Sequence, residues 1–483
     1  MNYKLTLKIL AIVAIIISLA MIIPTSMALY YNEINSFQSF LKVIIPTIII
    51  SFIMFFFLKN IDSSIMLAKD GFLFVTLSWI LVSFLGGLPY FLSGAIPSFA
   101  DAFFESISGF TTTGASICSN IESLPRSILF WRSLTHWFGG MGIVVLTVAI
   151  LPILGIGGLQ LLKAEAPGPT VDKITPRIKE TAKILWLLYL GFTVAETILL
   201  LAGGLDLFDA LTHTFGTLAT GGFSTKNQSI SHFNSAYIDG VITLFMVLAG
   251  ISFTLHFRLL SGRVKYLFKD TELKAYFFIF ITATIIMTIN LYGSFYKTFS
   301  ESLRYASFQA ATILTTTGFA TADFELWPKL SQTILFTLMF VGGCSGSTGG
   351  GIKVVRVITL LKQGLNEMKF LLHPRGIFSL KINNNSIRKN VVYAISGFFF
   401  LYILMLIFIT LIVSSSGQNI ITSFTTALAT VGNIGPGFGK IGPTENYAFY
   451  PDYVKWFLSF AMLVGRLELY TVLVLFTPHF WRK

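Results

Sequence analysis

Charged side chains are scarce in this sequence. Asp, Glu, Lys and Arg make up 12% of the 483 residues, 54% are apolar, and the mean hydropathy is +0.76. Soluble proteins carry about twice this charged fraction, so the composition predicts an all-α polytopic membrane protein. We interpret ten stretches of bilayer-crossing length as spans: roughly 8–28, 41–58, 71–94, 131–154, 182–204, 238–260, 275–293, 330–360, 389–413 and 453–477.

Cysteines and catalytic groupings are also scarce. Cys118 and Cys344 are the only cysteines, too few for a disulfide framework or a zinc site, and we expect them to be small packing residues. We find no metal cluster, no nucleophile–base set and no paired carboxylates, so an enzyme is not expected. The longest loop predicted on the cytoplasmic side is about 30–40 residues, too short for a domain of its own.

The net charge of +12 has a simple interpretation in the placement of Lys and Arg. In the proposed topology, 24 of the 34 basic residues lie on one side, nine on the other, and Arg466 lies inside a span. The positive-inside rule then places both termini and the basic loops 163–183, 258–274 and 353–389 in the cytoplasm. The charge therefore sets orientation, and no nucleic-acid partner is expected. Lys4, Lys8 and the apolar run after them resemble a secretory signal, but we expect this first span to be retained.

Four segments between the spans are too short or too polar to cross the membrane: 101–116, 208–224, 305–321 and 419–439. Each predicts a short helix that ends in Thr or Val followed by Gly, in TTTGAS (111–116), ATGGFS (219–224), TTTGFA (315–320) and ATVGNIGPG (429–437). We align Gly114, Gly221, Gly318 and Gly432 as equivalent. The pattern of span, half-helix, Thr-Gly loop and span is an internal repeat.

These loops suit a filter for a dehydrated cation. Backbone carbonyls can replace the water around the ion, and glycine adopts the positive φ that turns carbonyls toward one axis. Each half-helix would point the negative end of its dipole at the pore. A ring of acidic side chains, as in charge-ring channels, is absent from the four loops, which favours a monovalent cation. For a single loop, a glycine-packed tight turn is the simpler interpretation, but four loops in register favour the filter.

The sequence resembles the TrkH/KtrB superfamily of bacterial potassium transporters, and its TrkH branch in particular. The resemblance covers nearly the whole chain and includes 136–158, KAEAPGP (163–169), TPRIKETAK (175–183), GGCSGSTGGGIKVVR (342–356) and GRLELY (465–470). It implies four pseudo-repeats of helix, re-entrant pore helix, filter loop and helix around one pore. The predicted divisions are two extra N-terminal helices (1–68) and repeats at 69–165, 180–265, 272–365 and 388–483.

The resemblance also implies site residues. The K⁺ filter would comprise Thr112, Thr113, Gly114, Thr220, Gly221, Thr316, Thr317, Gly318, Val431, Gly432 and Asn433. Glycine at all four aligned positions is similar to the potassium-selective form, since a serine at the first position accompanies sodium permeation in related plant and fungal proteins.

A glycine-rich segment interrupts the predicted span at 330–360. It is a poor helix former, lacks the Gly-Lys-Ser/Thr ending of a phosphate-binding loop, and by resemblance is an intramembrane gate. The alternative is a passive helix break. The predicted gate residues are Gly342, Gly343, Ser345, Gly346, Ser347, Thr348, Gly349, Gly350, Gly351 and Arg466.

Arg466 is a basic residue in mid-span, which is costly and usually functional. The resemblance implies that it faces the pore beneath the filter, and the alternative is a structural ion pair with another repeat. Glu105, Asp209 and His213 would either attract cations at the mouth or bond to loop backbone. Glu196 is either a packing contact or a proton-coupling group, and the sequence favours neither.

The favoured function is gated, potassium-selective uptake through this membrane subunit in the bacterial inner membrane, with K⁺ as the transported ion. The resemblance implies a homodimer and a TrkA-like ring of nucleotide-binding RCK subunits on the cytoplasmic face. The nucleotide would bind that partner and not this chain. The alternative is a proton- or sodium-coupled secondary transporter, although such proteins often have two inverted repeats.

Overall fold

The computed structural model describes residues 2–58, 68–142, 178–383 and 385–482. In this part of the chain nearly all regular structure is helical, apart from a hairpin that pairs Lys381–Ile382 with Asn385–Ser386. Six described helices are long and apolar enough to cross a membrane, or up to eight if each of two bent helix pairs forms one span. The predicted all-α polytopic fold is confirmed.

Two N-terminal spans precede the first repeat. The first comprises Tyr3–Ala20 and Ile22–Tyr30, and the second is Ile34–Phe57. Both pack against the first helix of repeat 1. Leu5 and Ile9 are completely buried in this contact region, so the N-terminal segment forms part of the bundle.

Four repeats follow with the same order of elements: a long first helix, a short pore helix, a loop and a second helix. The first helices are Ala68–Leu92, Ile178–Ala202, Thr271–Leu291 and Lys389–Ser414. Pore helices 1 to 4 are Phe99–Phe110, Leu207–Leu218, Phe299–Leu314 and Ile420–Val431. The second helices are Arg126–Gly140, Ala236–Ala249, Lys329–Leu338 and Asp452–Arg466.

The start of each pore helix is fixed by a polar N-cap. In all four, the N-cap side chain accepts a hydrogen bond from the backbone N–H three residues later, which satisfies one of the free donors of the first turn. These caps are Ser98, Asp206, Thr298 and Asn419. Each pore helix begins at this cap, and its C-terminal end leads directly into the following loop.

The second helices do not continue straight through the membrane. Ala236–Ala249 meets Phe253–Leu260 at a bend of 98°, and Asp452–Arg466 meets Tyr470–Phe476 at 112°. The predicted spans 238–260 and 453–477 are therefore each divided into two helices by a sharp bend. Hydropathy does not detect these breaks because both halves of each pair are apolar.

The second helix of repeat 3 is interrupted by a longer irregular segment, and helix resumes at Val354–Leu372. One short 3₁₀ helix follows the filter loop in each of repeats 1 to 3: Ile121–Ser123, Ser229–Phe233 and Phe324–Leu326. Two further 3₁₀ helices are Val264–Lys269 and Val474–Phe476. The last described helix is the single turn Pro478–Trp481. The predicted span 131–154 extends beyond residue 142 and so lies partly outside the described residues. The quoted motif 163–169 and residues 175–177 of the motif 175–183 also lie outside them.

Candidate functional site

The four loops after the pore helices share one backbone conformation. Each pore helix ends in a C-cap, and the next residue adopts a left-handed conformation: Thr112 (φ +53°), Thr220 (+53°), Thr316 (+59°) and Asn433 (+52°). The residue after that donates its N–H back to the pore helix over 2.8–2.9 Å in every repeat. A glycine with positive φ comes next: Gly114 (+77°), Gly222 (+79°), Gly318 (+86°) and Gly435 (+95°).

These glycines close the loops into a ring. A Cβ on Gly114 would lie 2.1 Å from the carbonyl oxygen of Gly221 in the next repeat. The same relation holds for Gly222 and Thr317 at 2.0 Å, for Gly318 and Ile434 at 2.4 Å, and for Gly435 and Thr113 at 2.6 Å, which returns to repeat 1. Four carbonyls from equivalent positions therefore surround one axis, in the order of the repeats along the chain.

The ring corrects the sequence alignment in two repeats. Gly221 is equivalent to Thr113 and not to Gly114, whose equivalent is Gly222. Gly432 is the C-cap of pore helix 4, and the ring glycine of repeat 4 is Gly435. The sequence alignment matched Thr-Gly or Val-Gly pairs, and it therefore placed the ring glycine one residue too early in repeat 2 and three residues too early in repeat 4. Counting from the ends of the pore helices, which the structure supplies, gives the register that the matching of letters missed.

Side-chain oxygens adjoin the ring at the left-handed positions. Thr112 Oγ1 and Asn433 Oδ1 are buried and have no hydrogen-bond partner among the described residues. Asn433 Nδ2 donates to Thr113 Oγ1 and to the Met462 carbonyl, each over 2.9 Å, which leaves Oδ1 as the free acceptor. Two orphaned acceptors beside four convergent carbonyls form a set of oxygens that a cation could bind.

One polar side chain in each pore helix lies behind the loops, six residues before the C-cap. Glu105 accepts from Ile117 N–H over 2.9 Å, and His213 Nε2 contacts Ser224 Oγ at 2.9 Å. The equivalents in repeats 3 and 4 are Gln309 and Thr426, which sequence reasoning missed. All four are completely buried. Glu105 and His213 therefore support the loops and do not lie at the pore mouth.

Three other charged residues have defined places. Asp209 accepts from Thr225 Oγ1 over 2.6 Å and pairs with Lys226 at 3.1 Å. Arg132, which the sequence analysis did not single out, is buried and pairs with Glu105 at 2.5 Å. Glu196 is completely buried in Ile178–Ala202.

The predicted gate segment packs directly under the ring. Gly342 N–H donates to the Ile352 carbonyl over 2.8 Å, which closes the base of the loop. Gly350 N–H donates to Thr316 Oγ1 over 2.7 Å, and a Cβ on Gly350 would lie 2.5 Å from the Gly432 carbonyl oxygen. The loop therefore contacts the inner ends of the filter loops of repeats 3 and 4.

Two charged side chains and one backbone contact hold this loop. Glu272 Oε1, in the first turn of Thr271–Leu291, accepts from Ser345 N–H over 2.8 Å and from Val355 N–H over 3.0 Å. Lys353 donates to the Gly349 carbonyl inside the loop. Cys344 is also part of the loop, and its N–H donates to the Gly250 carbonyl over 2.8 Å.

Arg466 joins repeat 4 to repeats 1 and 3. Its guanidinium donates to the Thr348 carbonyl of the loop over 2.8 Å and to the Gly139 carbonyl of the repeat 1 second helix over 2.5 Å. Glu468 instead pairs with Arg356. Arg466 therefore lies beneath the ring, where its guanidinium contacts backbone carbonyls of repeats 1 and 3.

Comparisons with known proteins agree with this architecture. The sequence profile of the TrkH family, described as cation transport protein, matches residues 36–483. The Trk system potassium uptake protein TrkH of Escherichia coli K12 is 41% identical over 489 residues, and that of Halomonas elongata is 42% identical over 488 residues; each alignment covers 100% of both chains. The crystal structure of the potassium transporter TrkH from Vibrio parahaemolyticus superposes with a TM-score of 0.89 at 37% identity and covers 100% of both chains. The chain is therefore a multi-pass membrane protein of the TrkH family of cation transport proteins.

Proposed function

We propose that this chain conducts potassium ions into the cell through a selectivity filter formed by the ring of the four loops. The observation that carries this proposal is that each ring glycine lies against a carbonyl of the next repeat, and that the fourth glycine lies against a carbonyl of the first repeat. This arrangement brings four equivalent carbonyls to one axis. Carbonyl oxygens can replace the hydration shell of a monovalent cation without fixed charge. The ring residues are Thr113, Gly114, Gly221, Gly222, Thr317, Gly318, Ile434 and Gly435, with Thr112, Thr220, Thr316 and Asn433 on their pore-helix side.

Potassium is the proposed ion because the relatives are named potassium uptake proteins and because all four ring positions are glycine. The filter set from the sequence is thus changed in repeats 2 and 4: Gly222, Ile434 and Gly435 are added, while Val431, the last residue of pore helix 4, and Gly432, its C-cap, belong to the helix end.

The test is ion uptake into liposomes that contain the purified chain, measured with labelled rubidium and sodium. We expect strong preference for rubidium. In Gly114→Ser the new Cβ would lie 2.1 Å from the Gly221 carbonyl at a φ of +77°, so the preference should fall by about tenfold or more, given the 1–2 kcal/mol cost of left-handed backbone alone. An unselective wild-type protein, or an unchanged ratio in folded Gly114→Ser, contradicts the filter assignment.

We further propose that loop 342–351 is a gate. Its contact with Thr316 and its closeness to the Gly432 carbonyl support a position across the inner path from the filter. Glu272, Lys353 and Arg466 would stabilise the closed arrangement through the hydrogen bonds described above. Movement of the loop would then open the path to the cytoplasm.

Removing residues 345–349 leaves the Gly342–Ile352 and Gly343–Val354 backbone bonds in place. We expect this deletion to raise rubidium flux and to weaken control by any regulatory partner. The reason is that Glu272 loses the Ser345 N–H, Lys353 loses the Gly349 carbonyl and Arg466 loses the Thr348 carbonyl. A folded deletion variant with wild-type flux and regulation would reduce the loop to a packing feature.

Regulation is proposed to come from a separate nucleotide-binding subunit on the cytoplasmic face, since the relatives are named as parts of a Trk system. A homodimer, an inner-membrane location and cytoplasmic termini are proposed on the family resemblance and the charge asymmetry. A coupled secondary transporter is the alternative. Single-channel recording separates the two, because discrete current steps far above carrier turnover exclude alternating access.

A further inference from the structure

Phe223, the residue that follows the ring glycine of repeat 2, is enclosed by two polar side chains of repeat 1. The Arg132 guanidinium lies over its ring at 3.5 Å from the centroid, and the His136 ring stacks on it at 4.1 Å with an interplanar angle of 28°. The same two side chains bond the backbone of this strand. Arg132 donates to the Ser224 carbonyl over 2.8 Å, and His136 Nε2 contacts Phe223 N–H at 3.1 Å.

The hydrogen bonds of His136 fix its tautomer. Phe223 N–H can only donate, so Nε2 must accept, and the Gly109 carbonyl can only accept, so Nδ1 must carry the proton in its 2.7 Å contact. One neutral imidazole therefore links pore helix 1 to the filter strand of repeat 2. The residue is completely buried.

His136 also occupies the volume that a side chain would need at position 221. A Cβ on Gly221 would lie 2.5–2.6 Å from three atoms of the imidazole. The equivalent positions in repeats 1, 3 and 4 carry Thr113, Thr317 and Ile434. Glycine at 221 and histidine at 136 thus form a complementary pair.

This pair exists in one repeat only. His136 lies eleven residues after the N-cap of its helix, and the residues at the same place in repeats 2, 3 and 4 are Met246, Met339 and Met462. Arg132 lies seven residues after the cap, where the other repeats have Ile242, Leu335 and Leu458. All six of these apolar residues are buried.

We propose that His136, assisted by Arg132, is a positioning residue for ion selectivity, because it holds the carbonyl of Gly221 in the ring. This inference rests on the proposed filter function. The other three ring carbonyls belong to residues with side chains of their own that can pack behind the loop. Gly221 has none, so the imidazole takes that place from a different repeat.

The test compares rubidium and sodium uptake per folded molecule in liposomes. His136→Met should lower the rubidium-to-sodium ratio about tenfold, as expected for loss of the hydrogen bonds to Phe223 and Gly109. His136→Gln keeps an acceptor for Phe223 N–H and should retain more of the ratio. Met246→Leu is the matched control at the equivalent position of repeat 2 and should leave the ratio unchanged.

A compensating pair makes the test specific. Gly221→Thr alone should lose selectivity, because its side chain meets the imidazole. The double variant His136→Met with Gly221→Thr recreates the residue types of Met246 and Thr317 and should recover most of the wild-type ratio. If His136→Met does not fold, the rubidium-to-sodium ratios of His136→Gln and of the double variant test the proposal instead.

The outcomes separate this inference from the proposed function. An unselective wild-type protein overturns the filter itself. A selective wild-type protein overturns only the positioning role if folded His136→Met keeps the wild-type ratio, or if the double variant is no better than Gly221→Thr.

Discussion

Repeats 1 and 3 build their filter loops differently from repeats 2 and 4. In repeats 1 and 3, the C-cap threonine shares a hydrogen bond with the threonine two residues later, at 2.8 Å between Thr111 and Thr113 and again at 2.8 Å between Thr315 and Thr317. The equivalent pairs are Ala219 with Gly221, and Gly432 with Ile434, which have no hydroxyls. The backbone conformation is nevertheless the same in all four loops.

The ring is therefore defined by backbone geometry, and different side chains support that geometry in different repeats. Repeat 2 uses the imidazole of His136 in place of a threonine pair. In repeat 4, Ile434 is completely buried, and its side chain lies beside Gly432. Side-chain identity is therefore a poor guide to which residues are equivalent.

The largest expected effect tests the register in repeat 4. Gly435→Ala forces a Cβ onto a backbone with φ +95° and places it 2.6 Å from the Thr113 carbonyl oxygen. We expect the rubidium-to-sodium ratio to fall by more than about tenfold, since left-handed backbone costs an alanine 1–2 kcal/mol before the collision is counted.

Gly432→Ala is its matched control. Position 432 has right-handed backbone and corresponds to Thr111, Ala219 and Thr315, which carry a Cβ in the same conformation. A Cβ at 432 would lie 2.7 Å from the Leu428 carbonyl oxygen of its own pore helix and 3.0 Å from the Ile434 side chain, so both the helix end and Ile434 must shift slightly. We expect a ratio within about threefold of wild type, because this region of φ and ψ accepts a Cβ. If Gly432→Ala proves the more damaging of the two, the register assigned to repeat 4 is wrong.

The next effect concerns a position where repeat 4 carries a charged residue and the other three repeats carry glycine. Arg466 is equivalent to Gly140, Gly250 and Gly343, each fifteen residues after the N-cap of its second helix. A positive charge about 5 Å from a passing cation opposes it by roughly 3 kcal/mol at an effective dielectric of 20. Arg466→Ala should therefore raise rubidium uptake, by up to about a hundredfold.

The contrary outcome has a distinct signature. If Arg466 serves only to join the repeats, its removal leaves the Thr348 and Gly139 carbonyls without their donor and destabilises the protein by about 1–3 kcal/mol for each unsatisfied group. Thermal stability should be measured beside uptake. Poor folding with no gain in uptake per folded molecule excludes the proposed effect on the ion.

The smallest effect tests the threonine pairs themselves. Thr315→Val keeps the shape of the side chain but removes the hydroxyl that bonds Thr317, at a cost of about 1 kcal/mol. We expect a fall in the rubidium-to-sodium ratio of about fivefold, and the same for Thr111→Val.

Thr430→Val is the control for this experiment, because the Thr430 hydroxyl bonds only carbonyls within its own pore helix. It should leave the ratio near that of wild type. Equal losses in Thr315→Val and Thr430→Val would mean that the hydroxyl pairs have no special part in supporting the ring.

The sequence by itself determined the membrane class, the four pore helices and the place of each loop. Apolar length and glycine beside threonine are local signals, and such signals can be recognised without knowledge of the fold. It also located the glycine-rich break near 342–351, since six glycines in ten residues oppose a helix in any context. The repeat boundaries, which no observation here tests, stay a prediction.

Only the tertiary structure decided the register of repeats 2 and 4 and the roles of the buried polar groups. The equivalence of Gly435 with Gly114 depends on which carbonyl each glycine approaches in the next repeat, and that carbonyl is distant in sequence. From the sequence, Glu105 would either attract cations at the mouth or bond to loop backbone, and only packing placed it behind the filter loops, paired with Arg132. The bends in the second helices were likewise invisible, because both halves are apolar and hydropathy carries no information about direction.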